Sequence, residues 1–402
     1  MLEIGEEEKK KDFRPDSPKT PPPEIRSWDD MNLKPDLLRG IYSYGFETPS
    51  EIQKKAILPM VHNHDIIAQA QSGSGKTGSF TIGVLQSIDV SKPFTQAIIL
   101  APTHELAKQI TNVIKSLGSM MDGLTIKTLV GGTSIREDAR EMQNSPPHIV
   151  IGCVGRVFDM LSRKHIMTSD LKWLVLDEAD EMLSSGFGDK IRDMFRFFFD
   201  ESIQVALFSA TMPPEMLALT KRFMREPVEI VLKPEELNLK CIQQFFVAVP
   251  NDYSKFETLK DLFSIISVSK CIIYCNNVKR VHELYEAMMK DDFSVCCIHS
   301  NMDKSERDKV FTQFRYGDHR VLISSDLTAR GIDIQQVSTV INYDVPTCVN
   351  TYLHRIGRSG RWGRKGFAIN FVTRHDIQLL HNIEKHYDMS IQELPANFSC
   401  IV

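Results

Sequence analysis

The chain has 402 residues, 42% hydrophobic and 25% charged, with a net charge of −4. That length exceeds what a single hydrophobic core sustains, so two domains are expected. Near-neutrality excludes nucleic-acid binding by bulk electrostatics and leaves a local basic track as the only such site.

The eight cysteines (Cys153, Cys241, Cys271, Cys275, Cys296, Cys297, Cys348 and Cys400) include no CxxC pair, and most sit in apolar runs such as CIIYC and SVCCIH. This is the usage of buried thiols in a reducing compartment rather than of a disulfide framework or metal site. The N-terminus lacks the apolar core of a signal peptide, and no apolar run approaches the ~20 residues of a membrane span. The reading is a soluble intracellular protein, cytoplasmic or nuclear.

Residues 1–26, containing GEEEKKKDFRPDSPKTPPPE, are charged and proline-rich with almost nothing to bury, and read as a disordered tail. From Trp28 onward short apolar runs alternate with longer helical patterns. DIIAQA, QAIILAP, IKTLVGG, HIVIGC, KWLVLDEAD and QVALFSAT are the strand candidates of the first half. Continuously apolar strands separated by helices imply a parallel sheet covered on both faces. The pattern lapses in the polar stretch IVLKPEELNLK (230–240), then restarts with IQQFFVAV, KCIIYCN, FSVCCIHS, RVLISSD, STVINYDV and FAINFVT. The expectation is two α/β domains, 27–232 and 241–402, joined by a linker at 233–240.

AQSGSGKTGSF (70–80) follows the strand candidate DIIAQA and precedes the helical pattern TIGVLQSI. Strand, glycine-rich loop and helix in that order form the context of a phosphate-binding loop. Gly73 and Gly75 let backbone N–H groups turn inward on an anion, Lys76 supplies a point charge for the β- and γ-phosphates, and the Thr77 hydroxyl can ligate Mg²⁺. Ser72, Ser74 and Gly78 complete the candidate cradle. The general pattern GxxxxGK[ST] wants glycine where Ala70 stands. About one hundred residues on, KWLVLDEADEM (172–182) ends an apolar strand in carboxylates. Asp177 is placed to hold a hydrated Mg²⁺, and Glu178 to orient and deprotonate an attacking water.

No second phosphate loop occurs in 241–402. HRIGRSGRWGRKG (354–366) instead sets Arg355, Arg358, Arg361 and Arg364 three residues apart with no carboxylate among them. Phosphoryl transfer gains from cations that neutralise charge on the γ-phosphate, so Arg358 and Arg361 are candidates to reach a nucleotide from the second domain. Arg364 and Lys365 carry no assignment.

AQSGSGKT, DEAD, SAT (209–211), DLTARGID (326–333) and HRIGRSGR together resemble the DEAD-box family of ATP-dependent RNA helicases, over residues 28 to about 395. SWDDMNLKPDLLRGIYSYGFETPSEIQKKAI is most similar to the translation initiation factor 4A branch, which includes exon-junction relatives. The resemblance implies two RecA-like domains, each a mostly parallel sheet with helices on both faces, that close over ATP, Mg²⁺ and single-stranded RNA. GFETPSEIQ (45–53) matches the adenine-reading motif: the Gln53 amide can pair with the adenine edge and Phe46 offers aromatic surface. Trp28 is either a second base-facing aromatic or part of the core. By the same resemblance Ser209 and Thr211 relay the state of the metal site, Asp333 faces ribose or metal, Arg358 and Arg361 contact the γ-phosphate, and His354 couples the domains. RNA contacts are implied at Pro102, Thr103, Gly131, Gly132, Arg156, Thr328 and Gly331, gripping the backbone without reading bases. The resemblance also implies a monomer with protein partners of initiation-factor or RNA-processing type. Its function is an RNA-stimulated ATPase that opens short duplexes, with an ATP-gated RNA clamp as the alternative.

Departures from the family pattern cluster on the RNA-facing and interdomain side. His104 stands for arginine in PTHELA, Cys153 and Val154 for threonine and proline in CVGR, Val278 for arginine, and Lys304 for glutamine. A largely neutral His104 in place of a permanent cation weakens phosphate binding. The opposing reading is compensation by Lys279, Arg280 and Arg163.

Overall fold

The computed structural model describes residues 25–71, 73–184, 186–198, 203–212, 214–232, 242–265, 270–326, 337–359 and 366–395. The first half holds strands β1 (Ile66–Gln69), β2 (Ala97–Ala101), β3 (Ile126–Leu129), β4 (Ile149–Cys153), β5 (Trp173–Asp177), β6 (Gln204–Ser209) and β7 (Val228–Val231). The second holds β8 (Ile242–Ala248), β9 (Cys271–Tyr274), β10 (Val295–Ile298), β11 (Val321–Ser324), β12 (Thr339–Asn342), β13 (Gly366–Val372) and β14 (Gln392–Glu393). They form two seven-stranded sheets, ordered β3-β4-β2-β5-β6-β1-β7 and β10-β11-β9-β12-β13-β8-β14. Every strand pair is parallel.

Helices α1 (Pro35–Ser43), α2 (Glu51–Val61), α3 (Lys76–Ser87), α4 (His104–Leu117), α5 (Ile135–Asn144), α6 (Val154–Ser162), α7 (Ala179–Ser184), α8 (Gly188–Met194) and α9 (Pro214–Phe223) belong to the first domain. The second has α10 (Lys255–Ile265), α11 (Val278–Lys290), α12 (Lys304–Tyr316), α13 (Val349–Ile356) and α14 (Ile377–Tyr387). Helices on both faces bury strands such as AIILA and WLVLD completely, which is why these strands are apolar without alternation.

Every strand candidate of the sequence is present, and two strands were not foreseen. β7 is an edge strand with only Ile230 buried, and Ile230 and Val231, in the polar stretch 230–240, lie inside it. An edge strand needs only one covered residue, so its apolar signal is faint. β14 is two exposed polar residues. Ile25 and Arg26, assigned by composition to the tail, already belong to the first domain: Ile25 packs on its core and the Arg26 N–H donates to Asp30 at 2.8 Å.

The strand order fixes the site. β6 lies between β5 and β1, with Asp177 beside Phe208 and Gln69 beside Ser209. The phosphate loop after β1 and the carboxylates after β5 therefore rise from one end of the sheet about 10 Å apart, two strand spacings. The loops after β2, β3 and β4 share that end on its other half. Across the domains Arg307 of α12 pairs with Glu105 of α4 at 3.0 Å, and Lys108 with Asp308 at 2.5 Å.

Gly40 of α1 approaches α4 so closely that a Cβ there would lie 1.9 Å from the Leu117 carbonyl oxygen. Gly40→Ala therefore lowers the stability of the first domain by about 1–3 kcal/mol, read from its urea unfolding midpoint. An unchanged midpoint means the two helices are not held at contact distance.

Candidate nucleotide and nucleic-acid site

Gln53 sits in the first turn of α2, buried, where its Oε1 accepts from the Ser50 N–H at 2.7 Å. Its Nε2 donates to the Gly75 carbonyl at 3.4 Å, and the Ser50 hydroxyl donates to the Ser74 carbonyl at 2.8 Å. The helix start is thereby tied to the phosphate loop. Because the Ser50 N–H is a donor, the amide orientation is fixed, leaving one N–H and one lone pair for a base edge. Phe46 forms the adjoining wall of the cavity. Trp28 stacks on Phe46 with centroids 6.1 Å apart, and its Nε1 donates to the Phe46 carbonyl at 3.0 Å. At 0% exposure Trp28 is core that supports Phe46, not a second base-facing ring.

Ala70 does no harm in the phosphate loop. Its N–H continues the ladder to the Ser209 carbonyl at 3.0 Å, and its carbonyl accepts from Lys76 Nζ at 2.8 Å. Gly75 takes φ 104°, the left-handed turn that starts α3 at Lys76 and aims the first helical N–H groups at the loop. Lys76 also lies 3.6 Å from Glu178 Oε1, both side chains buried.

Asp177 ends β5, and Glu178 follows at φ 51°, a strained left-handed conformation for a residue with a side chain. Burial and the Glu178 charge raise the Asp177 carboxyl from its ordinary value to about 7. Burial pushes Glu178 up too, but Lys76, with His354 and Arg358, outweighs it and holds Glu178 below the usual range. Asp180 accepts from the Thr211 hydroxyl at 2.7 Å and lies 3.5 Å from His354 Nε2. The Ser209 hydroxyl accepts the N–H groups of Asp180 and Thr211, each at 3.4 Å. Burial opposes ionisation of Asp180, but the His354 and Thr211 hydrogen bonds prevail and keep its pKa low.

His354 and Arg358 bring the second domain to this cluster. Arg358 lines one cavity of about 480 Å³ together with Phe46, Gln53, Lys76, Asp177 and Glu178. Gly73, Ser74, Gly75, Thr77 and Gly78 line it too. Ser72, Thr328, Gly331, Asp333, Arg361, Arg364 and Lys365 lie outside the described residues.

The other half of the sheet edge carries the remaining expected positions. Thr103 caps α4, its Oγ1 accepting from the Leu106 N–H at 3.2 Å, and Pro102 precedes it. Gly131 and Gly132 follow β3, Gly132 at φ 83°. Arg156 braces that turn: NH1 donates to Thr133 Oγ1 and NH2 to the Thr133 carbonyl, both at 2.9 Å, while its charge faces Asp138. Cys153 is the N-cap of α6 without a side-chain cap bond, and Val154 is buried. Arg280 is engaged with Asp344 at 2.7 Å, whereas the Lys279 side chain is 86% exposed.

The "DEAD/DEAH box helicase" profile matches residues 50–219, and "Helicase conserved C-terminal domain" matches 254–363. The "ATP-dependent RNA helicase eIF4A" of Neurospora crassa is 50% identical over 378 residues, covering 94% of each chain. "Eukaryotic initiation factor 4A" of Caenorhabditis elegans is 50% identical over 94% of this chain and 93% of its own. The chain belongs to the DEAD/DEAH box helicase family. Among solved structures, S. cerevisiae Dbp5 bound to RNA and ADP BeF3 is 34% identical with a TM-score of 0.85, covering 93% of this chain and 97% of that one. Dbp5 bound to Nup159, Gle1, IP6 and ADP is 33% identical and covers 91% and 96%, but its TM-score is 0.66.

Several helicase-site residues gave no prior signal as site residues. Ser50 is one: it shares a capping box, S-x-x-Q, with Gln53, which the adenine-reading motif had already marked. Leu106, Gln109 and Val113 line the cavity from α4, which only the tertiary fold reveals. Arg355, fully buried, donates to Asp326 at 2.6 Å, Asn276 at 2.8 Å and the Asp344 carbonyl at 2.8 Å, locking strand ends of the second domain together.

Raised from 3.8 to about 7, Asp177 favours its protonated form in the folded protein, so its contribution to stability is lost as pH rises through 7. Asp177→Asn removes that titration. In nucleotide-free protein its stability relative to wild type increases by about 2 kcal/mol between pH 5 and pH 8, measured by denaturant melts. A constant difference across that range contradicts the shift.

Proposed function

We propose that this protein is an RNA-stimulated ATPase that grips single-stranded RNA by its backbone and opens short duplexes through domain closure. The observation that carries this reading is the single cavity built from the phosphate loop, the carboxylates after β5 and Arg358 of the second domain. Its completion requires both domains.

Adenine fits between Phe46 and the free edge of the Gln53 amide. The phosphates lie against the N–H groups that open α3, with Lys76 drawn from Glu178 onto the β- and γ-oxygens. Thr77 and Asp177 are the residues that would hold Mg²⁺. The buried cluster suits a cation, since Asp177 ionises only reluctantly beside Glu178 without one. When bound, the ion neutralises phosphate charge. Glu178, kept ionised, takes the proton of a water whose oxygen attacks the γ-phosphorus as the bond to the bridging oxygen breaks, giving ADP and phosphate. Arg358 balances the charge gathering on the γ-oxygens, joined in our reading by Arg361. His354 reads Asp180, and Ser209 with Thr211 holds Asp180 in place, so closure and hydrolysis are one event.

RNA is assigned to the loops after β2, β3 and β4, through Pro102, Thr103, Gly131 and Gly132, with Thr328 and Gly331 from the other domain. Arg156, engaged by Thr133 and Asp138, supports the turn more than it supplies charge. Arg280 is likewise committed, so it does not replace the cation absent at His104. Likeness to initiation factor 4A proteins supports an intracellular setting in translation or RNA processing, with protein partners of that kind.

Glu178→Gln is expected to retain nucleotide and RNA binding while kcat falls by about 10²–10⁴ in a steady-state ATPase assay. Unchanged turnover refutes its role as base.

The Arg307–Glu105 pair, with Glu105 7% exposed, favours a second reading in which the closed form persists as a clamp. Arg307→Ala then shortens the lifetime of the complex with RNA and a non-hydrolysable ATP analogue about tenfold in a chase experiment, for a loss near 1.4 kcal/mol. An unaltered lifetime leaves the helicase reading alone.

A further inference from the structure

β10 is the edge strand of the second sheet and pairs only with β11 among the described strands. α11 covers one face of this edge and α12 the other: Val295 shares a core cluster with Met288 of α11, and Ile298 shares a different one with Phe314 of α12. Between the helices the outer side of β10 floors an open groove of about 760 Å³. An unpaired strand edge offers main-chain donors and acceptors to another extended chain, and flanking side chains then select it.

The walls are of mixed character. Tyr285 and Met289 come from α11 and Val310 from α12, with Met289 47% exposed. Among the described residues no lysine or arginine lines the groove, and Glu306 is its one carboxylate, against His282, His299 and His319. A nucleic-acid backbone finds no cation there. His299 is 4% exposed, and its Nδ1 has no hydrogen-bond partner. Its ring lies 4.4 Å from that of His282. A buried imidazole nitrogen without a partner is costly unless something completes it.

We propose that this groove is a docking site for an extended segment of another polypeptide. The segment adds as a strand to β10, sets apolar side chains against Tyr285, Met289 and Val310, and brings a carboxylate to His299 and His282. The site is remote from the nucleotide cavity, sharing none of its lining residues. α12 nonetheless joins it to closure, since Glu306, Val310 and Gln313 face the groove while Arg307 and Asp308 reach the first domain.

A random twelve-residue peptide library displayed on phage, selected on the full chain, tests this. Enriched peptides are expected to alternate apolar residues around an aspartate or glutamate. The consensus peptide, made synthetically, is expected to bind at least about tenfold more weakly to Met289→Asp and to His299→Phe. Met289→Asp should keep basal ATPase activity, which shows that it folds. N-methylation of alternate peptide nitrogens is expected to abolish binding. The proposal is overturned by no enrichment over a Met289→Asp control, by consensus peptides lacking a carboxylate, or by binding that survives N-methylation at both alternate sets tested in turn, where one set, the one facing β10, is expected to be intolerant. Dimerisation of the chain through a Met289-dependent contact would put a second copy in the groove and overturn it equally.

Discussion

Asp177, Glu178 and Asp180 lie buried beside Lys76 at one end of the first sheet, where low polarity makes every uncompensated charge expensive. One lysine cannot satisfy three carboxylates, and the molecule answers in two ways. Asp177 holds its proton up to about pH 7. Asp180 is kept ionised by His354, 3.5 Å away, and by the Thr211 hydrogen bond, and His354 comes from the other domain. The charge deficit is thus met in part from the second domain.

The geometry of a parallel sheet makes this economical. All strand ends that matter point the same way, so nucleotide loops and the expected RNA loops share one edge, split between β5-β6-β1 and β3-β4-β2. α4 spans the two halves. Its cap Thr103 and first-turn Glu105 belong to the RNA-side loop and the interdomain pair, while Leu106, Gln109 and Val113 line the nucleotide cavity. One helix therefore borders both the cavity and the described ion pairs between the domains.

Strands buried on both faces were legible because nothing but apolar residues satisfies them, and every candidate of that kind was found. β7 and β14 were not, because edge strands need little apolar content. The nucleotide motifs were legible because phosphate chemistry restricts residue type and spacing at once. Sequence could not tell which aromatic faces the base: Trp28 and Phe46 are chemically alike, and only burial distinguishes them. Nor could it foresee that Arg156 and Arg280 are engaged by Asp138 and Asp344, since both acids are remote in the chain. Ala70 looked like a defect, but a strand-like position tolerates a Cβ that a turn does not.

A chain of net charge −4 can bind a polyanion only through local contacts, not bulk charge. Arg156 is neutralised while it holds the 131–133 turn in shape, so its contribution is a formed backbone surface. Backbone N–H groups, a helix start at α4 and glycine turns bind phosphate by direction rather than by net charge. Such contacts release few counterions, so affinity depends on the loops of both domains facing the same strand. Contacts with the second domain reach the same edge, at Asp180 through His354 and at Glu105 through Arg307.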